Sequence, residues 1–81
     1  MTDEERAELD LLRLSTERCK FAVALGPPMA ARDQQALERL QEREWIRLID
    51  ISTIAMGQFD QLFRIFLLTK PALAFLKRHA N

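Results

Sequence analysis

Apolar positions are periodic in the first half of the chain and crowded in the second. Leu9, Leu12, Thr16, Cys19 and Val23 recur at helical spacing, and Leu11, Leu14 and Ala22 widen that stripe. Arg6, Asp10, Arg13 and Glu17 alternate in sign at four-residue steps, as on a solvated helix face. Thr2-Asp3-Glu4-Glu5 reads as a capping box, with acidic side chains at the positive end of the helix dipole. The pattern predicts a first helix over residues 3–25, ended by Gly26-Pro27-Pro28. So short a connection predicts an antiparallel neighbour. In the second helix, 30–56, Leu37, Leu40, Glu44, Leu48, Ile51 and Ala55 keep coiled-coil spacing with one polar defect. Ile51-Ser52-Thr53-Ile54 has some strand propensity, which the helical spacing on both sides outweighs. Gly57 predicts a break or kink. Short helices over 58–69 and 71–79 follow, the last opened by Pro71.

The prediction is therefore an all-α fold in one domain, 1–81: an antiparallel helical hairpin with short C-terminal helices. Its difficulty lies between Trp45 and Leu76. Leu62 to Leu68 holds six large apolar residues and Arg64, which at ~100° per residue point all round a helix. A chain this short buries only a little over ~60% of its unfolded surface. Few residues remain to enclose such a segment, so the bundle is expected to be completed by oligomerisation, most simply as a homodimer. Trp45, Ile49, Phe59, Phe63, Phe66 and Phe75 are the expected contact residues, because large aromatic anchors dominate interfaces. A place in the chain's own core is the simpler fate for any one of them. Their number in so small a chain is what points to a partner.

Composition adds little to that picture. At 48% hydrophobic and 30% charged the chain has the make-up of a folded protein. Twelve basic and twelve acidic residues cancel, which removes any overall attraction to nucleic acid or anionic lipid. The single Cys19 excludes an internal disulfide and points to a reducing compartment. No signal-peptide pattern is visible, so the expected location is cytoplasmic.

Candidate chemistry is thin. His79, the only histidine, stands among basic residues at the chain end, where a solvated helix terminus explains it better than a metal or a general base. Cys19 falls on the apolar stripe without a base beside it. Glu38, Glu42 and Asp50 lack the Glu-x-x-His partner of a di-metal bundle. Asp50, flanked by Ile49 and Ile51, suits a register-setting role at an interface. There is no glycine-rich phosphate loop and no Gly-x-Ser-x-Gly elbow. No catalytic residue, metal or cofactor is expected. The leading expectation is a non-catalytic helical protein–protein interaction module, a small adaptor, regulator or complex subunit. The alternative is peripheral attachment to a membrane surface through a basic amphipathic region over 58–79. A third is nucleic-acid binding by Arg39, Arg43 and Arg47, a row that Glu38, Glu42 and Glu44 interrupt.

Overall fold

The computed structural model describes residues 1–16, 18–25 and 28–79, with backbone alone for Ile54, Met56 and Phe59. The elements run α1 (Asp3–Leu12), β1 (Lys20–Ala24), α2 (Ala31–Glu42), β2 (Ile46–Met56), β3 (Phe59–Leu68) and α3 (Lys70–Arg78). The all-α expectation is overturned. Residues predicted as the ends of two long helices and as the whole of a third form a three-stranded antiparallel sheet in the order β1-β3-β2. The fold is mixed α/β. Because β1 and β2 each run antiparallel to β3, they are parallel to one another, and β1-α2-β2 is a split βαβ unit with β3 inserted between its strands.

The start of α1 follows its sequence signal, and the ends of α1 and α2 do not follow theirs. The α1 capping box is formed: the Glu5 amide donates to Thr2 Oγ1 at 3.1 Å, and the Thr2 amide donates to Glu5 Oε1 at 3.3 Å. Those bonds to Thr2 hold the Glu5 carboxyl below the usual glutamate range. The helix predicted over 3–25 stops at Leu12, where Leu14 N–H to Leu11 and Ser15 N–H to Leu12 tighten the last turn. Ser15 and Thr16 follow, residues that compete with the helix ladder for backbone partners. Cys19 then turns the chain with φ 59°. Its carbonyl accepts from the Leu68 amide, which starts the pairing of β1 with β3.

The helix predicted over 30–56 ends at Glu42 in a Schellman motif. The Trp45 amide donates to the Leu40 carbonyl and the Glu44 amide to Gln41, with Glu44 at φ 58°. Glycine usually holds that left-handed position, so no sequence signal announced the stop. The apparent heptad is thereby split. Leu37 and Leu40 are buried on α2, whereas Leu48 and Ile51 stand exposed on a strand. Downstream, the β-branched run Ile46, Ile49, Ile51, Thr53 and Ile54 follows its strand propensity. Gly57 neither kinks nor breaks a helix. It is the first residue of the two-residue turn between β2 and β3, at φ 69° while Gln58 keeps a negative φ, as a type II′ hairpin requires. Residues 58–69, predicted helical, are mostly β3. The last predicted helix, 71–79, is close to α3, with Pro71 in its first turn. The predicted Gly26-Pro27 stop lies outside the described residues.

All three helices pack on one side of the sheet. The core joins Leu9, Leu11 and Leu12 of α1, Ala36, Leu37 and Leu40 of α2, and Ala72 and Phe75 of α3 to Phe21, Val23, Ile46, Phe66 and Leu68. Register places those five sheet residues on a single face. Phe21 and Phe66 are cross-strand partners with stacked rings 5.4 Å apart. Between the helices, Glu8 is only 3% exposed yet charged, and two arginines of α2 satisfy it. Arg39 Nε donates to one oxygen at 2.8 Å and Arg43 Nη2 to the other at 2.5 Å. This pair fixes how α1 lies on α2.

Candidate interaction surface

Among the described residues the other face of the sheet carries no helix. On β3 the alternate residues Gln61, Phe63, Ile65 and Leu67 point to it. Their partners set the rest: Lys20, Ala22 and Ala24 on β1, and Arg47, Asp50 and Ser52 on β2. Phe63, Ile65 and Leu67 form an apolar row down the middle of that face. Small Ala22 and Ala24 flank it on one side, and polar side chains mark its edges. The bulge between Leu48 and Asp50 gives the face its charge pattern. Without the extra residue Arg47 and Asp50 would lie on opposite faces; with it, both reach the open one.

β2 and β3 also outrun β1, whose last partner is Phe63. Beyond that point the hairpin is a two-stranded arm, extended by one bond from the Leu25 amide to the Leu62 carbonyl. On its helix side Leu62 is exposed, as are Leu48 and Ile51 nearer the base of β2. An isolated two-stranded ribbon is marginal in water.

The six residues expected to make contacts scatter over this architecture. Phe63 is on the open face, half-buried among its neighbours. Ile49 sits in the bulge of the edge strand, 42% exposed. Trp45 is half-buried at the start of β2, with the Arg43 guanidinium 4.4 Å over its ring and Phe75 5.4 Å away. Phe66 and Phe75 belong to the core under the helices. The side chain of Phe59 lies outside the described residues. Ile65 and Leu67, which complete the open apolar row, were not singled out in the sequence. Their signal was the two-residue spacing Phe63, Ile65, Leu67. It was hidden because the intervening Leu62, Phe66 and Leu68 are apolar too, so the strand reads as a continuous run.

Other candidate groups fall in unremarkable places. The His79 ring lies against Phe75 at 4.8 Å, and its carbonyl accepts from Arg13 Nη2. Cys19 is a free thiol half-buried against the core. Among the described residues no group of His, Cys, Asp or Glu is placed to hold a metal ion. Arg39 and Arg43 are taken up by Glu8, and Arg47 stands apart from them on β2. Most of the region read as an amphipathic helix over 58–79 is strand, and the apolar residues of α3 turn toward the core. Among the described residues no helix is long and apolar enough to cross a membrane. Comparisons with family models, with curated proteins and with solved structures give no match.

Proposed function

We propose that the protein is a non-catalytic interaction module that pairs with a second copy of itself through the open face of its sheet. The observation that carries this reading is the unpartnered apolar row Phe63-Ile65-Leu67, set between β1 and a long edge strand. Sheets bury one face against another ≈ 10 Å away when no helix covers it. A second copy suits the central position of the apolar row. A twofold axis parallel to the strands lays the β1 edge of one copy over the β2 edge of the other. The apolar rows then meet in the middle, and Lys20 of each copy comes level with Arg47 of its mate, with Asp50 one alternate position further along. With strands ≈ 4.8 Å apart and a rise of ≈ 3.3 Å per residue, the face projects on the order of 400 Å² per copy before side-chain relief is counted. That approaches the ~500 Å² per partner from which specific interfaces start. Pairing also covers one side of the two-stranded arm, which has no third strand of its own.

Light scattering on the wild type and on Phe63→Asp tests the reading. The wild type should have the mass of two chains and the variant the mass of one, with unchanged far-ultraviolet circular dichroism. A wild type that stays a single chain at the highest soluble concentration overturns it. So does a Phe63→Asp variant that keeps the dimer mass. Flotation with anionic vesicles checks the competing use of the same face; co-flotation of a monomer would favour a lipid surface.

A further inference from the structure

On the helix side of the sheet a cleft of about 300 Å³ opens between α2 and the residues Leu25, Pro28 and Met29. Arg64 lines it from β3, Leu25, Met29 and Leu37 give it apolar walls, and Gln34 and Glu38 stand on α2. Arg64 is out of place by the logic of the fold. It occupies the helix-covered face of the central strand, between Val23 and Ile51, with its guanidinium 5.8 Å from the Phe66 ring. Its Nε is shut off from water and donates to no acceptor. Among the described residues it forms no salt bridge, whereas Arg39 and Arg43 share Glu8 and Arg32 meets Asp10. Glu38, the acidic residue of the same cleft, is engaged by Gln34 Nε2 at 3.5 Å rather than by Arg64.

We infer that this cleft binds a free α-amino acid with an aliphatic side chain. The ligand's carboxylate lies on Arg64, its ammonium on Glu38, and its side chain against Leu37 and Met29. An unpaired guanidinium N–H kept from water is costly, and turning the planar fork onto a carboxylate satisfies two N–H groups at once. Glu38 then decides the ligand class. A simple anion meets a carboxylate beside its binding cation, and a simple amine meets the arginine. A zwitterion satisfies both, and the partial burial of Arg64 strengthens its hold on the carboxylate. The volume is at the small end for ligand pockets, which suits a molecule of amino-acid size.

The test is a titration of isotope-labelled protein with L-leucine, with 4-methylpentanoate, which lacks the ammonium, and with isopentylamine, which lacks the carboxylate. L-leucine should shift the amide signals of Arg64 and Leu37, and each truncated analogue should bind about tenfold more weakly. Arg64→Lys keeps the charge but loses the fork, and should weaken L-leucine about tenfold. Glu38→Gln, on the exposed side of α2, should leave the thermal midpoint unchanged and erase the preference for L-leucine over 4-methylpentanoate. Absence of shifts at the cleft overturns the inference. So does 4-methylpentanoate binding as well as L-leucine to the wild type, or a Glu38→Gln variant that keeps the preference. Repeating the titration on Phe63→Asp separates this site from the dimer reading, because the two lie on opposite faces of the sheet.

Discussion

The two faces of the central strand β3 are both apolar and have different fates. Phe66 and Phe63 sit three residues apart on β3, yet Phe66 is fully buried under helices while Phe63 lies on a face with no cover. Both faces are apolar along β3, so hydrophobicity alone does not say which is the core. The helices decide that, and they decide it through α1 and α2, which Glu8 locks together with Arg39 and Arg43.

The largest effect should come from the covered face. Phe66→Ala removes a fully buried ring at the centre of the core and should cost about 3–5 kcal/mol in urea unfolding. The matching change on the other face, Phe63→Ala, should cost about 1 kcal/mol in a dilute, monomeric sample. The gap between them should narrow as protein concentration rises, since association adds to the stability of the wild type and of Phe66→Ala but not to that of Phe63→Ala. Equal costs at low concentration would erase the distinction between the faces.

Glu8→Ala probes what places the helices. It strips a buried carboxylate from two arginines, but both can turn to solvent, so a loss of about 2–3 kcal/mol is expected. A change within experimental error would show that apolar packing alone fixes α1 on α2. Glu44→Gly acts in the other direction. Its left-handed φ costs a side-chain-bearing residue about 1 kcal/mol, which glycine recovers at the α2 stop, visible as a raised denaturation midpoint. The smallest effect belongs to Glu5. Its folded carboxyl ionises below the unfolded range, so the cap stabilises α1 above that range and the contribution fades as pH falls through the folded value. The midpoint difference between wild type and Glu5→Gln should therefore shrink on acidification; a difference that grows toward acid would contradict the cap.

Among the elements, those with a local cause were legible. The Thr2–Glu5 box and Pro71 in the first turn of α3 each rest on a few neighbouring residues, and the structure holds both, whereas the helix break or kink expected at Gly57 is a hairpin turn. The stop of α2 was illegible because its left-handed residue is Glu44, and the stop of α1 because Leu14 continues the apolar stripe past it. Those two hidden ends let Leu37, Leu40, Leu48 and Ile51 look like one heptad seam. Once that seam was accepted, strand propensity in 46–56 counted for too little. Of the interaction surface, Phe63 was visible as an excess aromatic. Its partnership with Ile65 and Leu67 was not, since a strand apolar on both faces carries no two-residue alternation.

What the sequence determined by itself was the crowding of apolar residues in its second half and the capping box that begins α1. Those follow from composition and from contacts a few residues long. Only the tertiary structure decided that the second half is a hairpin, that β1 pairs with β3, and that Arg64 and Phe66 face the helices while Phe63 and Ile65 do not. Pairing across some 40 residues fixes which side of a strand is inside, and one extra residue in β2 is enough to bring Asp50 to the same face as Arg47.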